Sequence, residues 1–281
     1  MHLDIALIAA VAAALTSGAA QAAANVQITD AAARVTVVPE DRSDVKVEII
    51  APNARLPLTV RTSGDRTIID GGLDHRIRNC RGMGEGGGIR IRDLGDVPWS
   101  EMPQVVIRTP RDVHLSTNGA VQGSIGRSAS LDLHNSGCSN WTIADVAGDV
   151  SLSESGAGSV RMGASNRLAV HLSGAANIHA TRVRQAMDMQ LSGAGNIRVD
   201  ELIGEMDAQV SGVGKVDVDG GRASTIRASV SGIGSVDFGG VAGDLDASIS
   251  GLGSVRVQEV TGSIRKHVSG GGSVQVAKRP I

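Results

Sequence analysis

Asp217, Asp219 and Asp237 are the residues whose type and spacing come closest to acid–base chemistry. Two carboxylates held about 5 to 10 Å apart across a groove can cleave a glycosidic bond, one as acid and one as base or nucleophile. Sugar sites also lean on aromatic platforms. This chain of 281 residues has Trp99, Trp141, Phe238 and no Tyr. The three acids are therefore expected on a solvated outer face, and no catalytic residue is expected anywhere in the chain.

The other reactive types are weaker candidates. His114, His134, His171, His179 and His267 are scattered. No Ser sits in the strand–turn–helix G-x-S-x-G elbow that exposes a nucleophile. "GMGEGGG" (82–88) resembles a phosphate-cradling loop, but it lacks the following Lys-Ser/Thr and a helix, so a mobile loop is expected. No cofactor or metal is expected. Net charge is −2 with both signs interspersed, so there is no basic footprint for nucleic acid.

Residues 1–22 read as a secretory signal peptide: an apolar run ends in Ala20-Gln21-Ala22, a small-x-small cleavage pattern. Its leading segment "MHLD" has no Lys or Arg. No later segment is apolar enough to span a bilayer as a helix, so an exported protein, periplasmic or extracellular, is expected. In such a compartment Cys80 and Cys138, the two cysteines of the chain, pair by default. The alternative is two buried free thiols.

What must position these residues is a repeat. "SGAGSV" at Ser155 recurs as "SGAANI" at Ser173, "SGAGNI" at Ser192, "SGVGKV" at Ser211, "SGIGSV" at Ser231, "SGLGSV" at Ser250 and "SGGGSV" at Ser269, at spacings of 18, 19, 19, 20, 19 and 19. Degenerate copies begin at Ser136 and Asn118. Within one unit, Leu245, Ala247 and Ile249 alternate with polar residues, Gly251-Leu252-Gly253 turns, and Val255 and Val257 alternate again before Val260. Period two means half-buried strands. A unit this short cannot bury its apolar face alone, whereas stacked units can. The expectation is an all-β parallel β-solenoid of about 19 residues per coil, with about six small apolar residues per coil in a narrow lumen that Val and Ile suit better than rings. Gly156, Gly174, Gly193, Gly212, Gly232, Gly251 and Gly270 are expected as a stacked corner column, permitting positive φ and close approach. Calcium-binding β-rolls place an Asp in a G-G-x-G-x-D turn; that Asp is missing here, and Lys215 occupies the register.

Regular coils are expected over 104–265 in a single solenoid domain spanning 25–281. Residues 25–103 read as irregular N-terminal coils or a cap, with a Gly-rich loop over 80–103. Residues 266–281 read as a C-terminal cap, because Lys266 and Gly271 replace Ala247 and Leu252, residues read, like Ala228 and Ile233, as inward. An inward charge would blunt the sheet edge. The loop interrupts the repeat, so Arg81, Arg90 and Arg92 are the candidate interaction residues.

The recurring "SGAGNI" phrase, with the lead-in "IRTPRDVHLSTNGA", resembles the GIN domain of exported bacterial proteins, a family labelled as an autotransporter adhesin head, over roughly Gln104 to Val276. The resemblance implies a right-handed parallel β-helix in an envelope or extracellular setting and brings no catalytic residues. The handedness also follows the general right-handed preference. The sequence ends soon after its last repeat phrase, so no translocator β-barrel of its own is expected. The expected function is a non-enzymatic structural or adhesin-like module binding an envelope protein or glycan. The competing expectation is an enzyme on envelope polysaccharide.

Overall fold

The computed structural model describes residues 25–81 and 87–278, almost entirely as strands. The expected signal peptide and most of "GMGEGGG" lie outside the described residues. From residue 112 onward the chain winds as a parallel β-solenoid. Each strand pairs with its equivalent one coil away, so the pairing builds a stack rather than the wall of a single barrel. Ile178, Ile197 and Val216 stack in register at intervals of 19 residues.

One coil shows why this sequence makes this fold. Ile197, Val199, Leu202, Met206, Ala208 and Val210 are each at most 1% exposed, and residues between them face out. Three short runs per coil thus point six side chains inward, and stacking joins them into one continuous core. The backbone groups of each run are satisfied by the coils above and below, which is what lets the runs enclose an apolar lumen.

Three expectations need correction. The corner glycines do stack, but none of the seven has positive φ. Their requirement is close approach: a Cβ on Gly193 would land on the carbonyl oxygen of Gly174, and one on Gly212 on that of Gly193. Positive φ in the coils is taken instead by residues such as Gly204 (φ 130°). The narrow lumen expected to suit Val and Ile better than rings also takes two rings. Trp141 and Phe238 are both 2% exposed, and Trp141 fits because Gly123, stacked on it one coil away, leaves the space its ring fills. Finally, Ala228 and Ala247 are inward as expected, but Ile233 and Leu252 point out, at 61% and 68% exposure. They sit on the corner in the outward phase: the buried positions Val230 and Val236, and Ile249 and Val255, keep one parity through the turn, and Ile233 and Leu252 fall on the other.

The N-terminal third is folded out of sequence order. The long strand β1 (Asn25–Glu40) is a full coil. It is followed by β2 (Lys46–Ala51), β3 (Thr59–Ser63), β4 (Arg66–Asp70), β5 (Ile77–Arg81), β6 (Gly88–Ile91), β7 (Gly95–Pro98), β8 (Gln104–Pro110) and β9 (Asp112–Ile125). On one side β1 pairs in parallel with β4 and β8, and on the other with β9. The chain therefore passes from β8 to β9 across a layer already filled by β1. At the outer edge β2 and β3 run antiparallel to β8 and β4, ending the parallel ladder.

The described residues of the stretch expected as a Gly-rich loop form, with residues 77–79, a small antiparallel sheet, β5–β6–β7. Ile89, Ile91, Val97 and Trp99 give it an apolar side, which packs with Leu56, Leu73 and Met102 on Ala32 and Ala120 of the solenoid corner. Cys80 and Cys138 form a disulfide across this contact, with Cα atoms 6.3 Å apart. At the other end, Ile264–Val268 and Ser273–Lys278 continue the parallel stack. Lys266 lies in register over buried Ala247 and is exposed at the open end.

Candidate functional site

Register converts sequence into rows. On the face formed by Asp149–Glu154 and its stacked equivalents, one outward row runs His114, Asp132, Ser151, Ala169, Asp188, Asp207, Arg227. Beside it run Asp149, Arg167, Ala186 and Glu205. Small side chains at Ser151, Ala169 and Ala186 leave a recess between longer ones, and the resulting groove has a volume of about 640 Å³.

The two ends of the groove differ electrostatically. At one end the charges are matched: His134 Nε2 lies 3.1 Å and His114 Nδ1 3.7 Å from Asp132, and Arg167 pairs with Asp149 at 3.2 Å. At the other end Asp188 and Asp207 stack on adjacent coils, with Glu205 two residues before Asp207. Among the described residues none of these three carboxylates has an ion-pair partner. Along the same face a second row, His171, Gln190, Gln209 and Ser229, borders the corner serines Ser173, Ser192, Ser211 and Ser231 around a recess of about 330 Å³. His171 and His267 share this row with four residues between them. It is a flat ladder of hydroxyl, amide and imidazole groups.

The three acids singled out by spacing lie on the next face. Asp217 and Asp237 do stack in register. Both are held by Lys215, whose Nζ is 3.0 Å from Asp217 and 2.8 Å from Asp237, and Arg256 adds a contact of 3.1 Å to Asp237. The Asp237 hydrogen bond, helped by Asp217, raises the Lys215 pKa despite its partial burial. Asp219 is tied to Arg198. These groups form an ion-pair ladder. Two of the candidate arginines are also committed: Arg90 makes a two-pronged contact to Asp96 (2.8 and 3.0 Å) and Arg81 joins it. Their hydrogen bonds hold the Asp96 carboxyl far below the usual range. Arg92 is exposed, and its guanidinium makes no hydrogen bond among the described residues.

A buried polar chain escaped the sequence reading. Thr117, Asn135 and Glu154 occupy one inward column where later coils have Leu172, Leu191, Val210, Val230 and Ile249. Thr117 Oγ1 donates to Asn135 Oδ1 (2.6 Å), and Trp141 Nε1 donates to the same oxygen (3.1 Å). Asn135 Nδ2 donates to Glu154 Oε2 (3.1 Å), and the Gly156 N–H donates to Oε1 (3.2 Å). Glu154 is 2% exposed. Desolvation pushes its pKa up to about 7, against the pull of those two donors. The signal was in the sequence: the residue before each Ser-Gly is apolar from Leu172 onward and polar before it.

Stack, lumen and rows define the class: a parallel β-solenoid with polar outer faces. Residues 149–258 and 183–280 match the family described as "Putative auto-transporter adhesin, head GIN domain", so the regular coils are similar to that family. A crystal structure of a "putative adhesin" from Bacteroides fragilis NCTC 9343 is similar at 14% identity and a TM-score of 0.41, covering 90% of this chain and 92% of that one. No curated protein matches. Among the described residues no helix is long and apolar enough to cross a membrane.

Proposed function

We propose that this protein is an exported, non-enzymatic interaction module of the cell envelope, and that the groove of about 640 Å³ on the Asp149–Glu154 face receives its partner, a glycan or an envelope protein. The observation that carries the reading is the set of unpaired carboxylates Asp188, Asp207 and Glu205 at one end of that groove. Elsewhere on the solenoid most charges neutralise a neighbour one coil away, as Arg182 does Glu201 and Arg265 does Asp246. Carboxylates that form no ion pair keep their acceptor capacity for hydroxyl or ammonium donors of a partner, even with Arg227 in register one coil from Asp207. Export is supported by the apolar N-terminal run and by the disulfide. A non-enzymatic role is supported by the placement of Glu154, the carboxyl pushed toward neutral pH, which is sealed in the lumen away from the groove.

The test is a glycan array together with binding to purified envelope components, using the wild-type protein and a D188N/E205Q/D207N variant. A ligand that the variant binds at least about tenfold more weakly supports the reading. Equal binding by the variant moves the site elsewhere. Release of soluble sugar from envelope polysaccharide by the wild-type protein would replace this reading with the enzymatic one.

A further inference from the structure

The corner between the two strand faces carries one outward column through the solenoid: Ala32, Ala120, Cys138, Ala157, Ala175, Ala194, Val213, Ile233. Leu252 extends it by one coil, and a Cβ on Gly271 would touch Leu252. The N-terminal part of this column is already an interface, since Ala32, Ala120 and Cys138 are covered by the β5–β7 sheet and the disulfide. Past that sheet the column is open. It carries Ala for three coils and then three large apolar residues, Val213, Ile233 and Leu252, at 59%, 61% and 68% exposure.

We propose that this ladder is a self-association surface, and that its occupant is the same ladder of a second copy of this chain, related by a two-fold axis at Ile233. Three observations favour that occupant. The exposed ladder continues a corner that the fold already uses for docking. Its residues are spaced by the coil rise of about 4.8 Å, a repeat that a second copy reproduces. Its borders are neutral and small: Ser211, Ser231 and Ser250 on one side, Gly214, Gly234 and Gly253 on the other. They allow close approach and set no charge against itself. Lys215, two residues along from Val213, is held by Asp217 and Asp237. A two-fold axis makes a patch meet itself, which closes the contact at a dimer. Three side chains give a small interface, so the association is weak and reversible.

Sedimentation velocity of the mature protein over a rising concentration series, to about 1 mM, reads the monomer–dimer equilibrium. The expected result is a reversible dimer that is lost in a V213S/I233S/L252S variant with unchanged circular dichroism. Separately, I233C is expected to form an intermolecular disulfide under mild oxidation, and N196C, on an exposed strand face, is not. A wild-type protein that stays monomeric and an I233C variant that does not cross-link would overturn the proposal and leave the ladder to a different partner. A dimer that persists in the triple serine variant would overturn it too, by placing the contact elsewhere.

Discussion

Asn135 and Glu154 stand one coil apart at the same inward position, and the Asn135 amide donates to the Glu154 carboxyl at 3.1 Å inside a lumen filled mainly with apolar side chains. The pair marks where the solenoid changes character. On one side of it lie a tryptophan, a threonine and a strand inserted out of order. On the other the coils repeat with apolar residues in this column.

The buried carboxyl makes stability depend on pH. The folded-state pKa of Glu154 is raised to about 7 from 4.5, so the native state holds this proton where the unfolded chain has released it. Its contribution is fully present below about pH 4.5, falls as pH rises toward about 7, and is flat beyond. A shift of this size corresponds to about 3 kcal/mol. Denaturant unfolding of wild type and E154Q across pH 4 to 8, roughly the window between the two pKa values, is expected to show E154Q gaining relative stability as pH rises. A difference that stays constant across the window would contradict the assignment.

Gly123 is the counterpart of Trp141. A Cβ there would enter the indole ring, so G123A must displace Trp141 and its hydrogen bond to Asn135. The expected cost is about 1 to 3 kcal/mol. A red shift or loss of structure in Trp fluorescence at residue 141, read in a W99F background, would report the displacement.

The corner column predicts a position-specific penalty. G232V would drive a side chain into the carbonyl oxygen of Gly212, and the backbone of the coil must move. S229V, at an exposed position of the same coil, adds a β-branched residue on the outer face of a strand. Thermal unfolding is expected to separate the two by more than about 2 kcal/mol; equal melting temperatures would refute the close-approach argument.

The disulfide ties the β5–β7 sheet to the solenoid over a sequence separation of 58 residues. In the chain-entropy model that closure stabilises by about 4 kcal/mol. C80S/C138S is expected to lower the melting temperature. Hydrogen exchange should show protection lost first in Ile77–Pro98, with the coils after Asp149 retaining theirs.

The inserted strand gives a fifth expectation. Because β1 is paired in parallel on both sides, amides of Ile28 to Val37 should exchange as slowly as those of the central coils, despite lying at the described N-terminal end. Fraying of β1 would argue against its place inside the stack.

Much of the fold was legible because it is periodic. Ile197, Val199, Met206, Ala208 and Val210 declare their faces by alternation, and the repeat of 19 residues fixes which ones stack. Where the period breaks, the reading weakened. Ile233 and Leu252 were read as inward, yet they stand out of phase with the buried Val230 and Val236, and Ile249 and Val255, and both point out. The strands flanking "GMGEGGG" were not expected, because antiparallel pairing of β5, β6 and β7 depends on a docking surface supplied by Ala32 and Ala120. The candidate acids lie on an outer face as expected, but their partners were not legible. Asp217 and Asp237 are prominent in the sequence, but their charges are already spent on Lys215 and Arg256, whereas Asp188 and Asp207 stay unpaired.

The sequence alone determined the coil: its length, its inward residues, its parallel register and the glycine column, because each follows from a local period that every copy restates. Only the tertiary structure decided what neighbours across layers do to one another. It placed β1 between β8 and β9, buried Glu154 against Asn135, and left Val213, Ile233 and Leu252 uncovered. Those outcomes depend on which residues meet across coils and corners, and such contacts have no period for a single sequence to reveal.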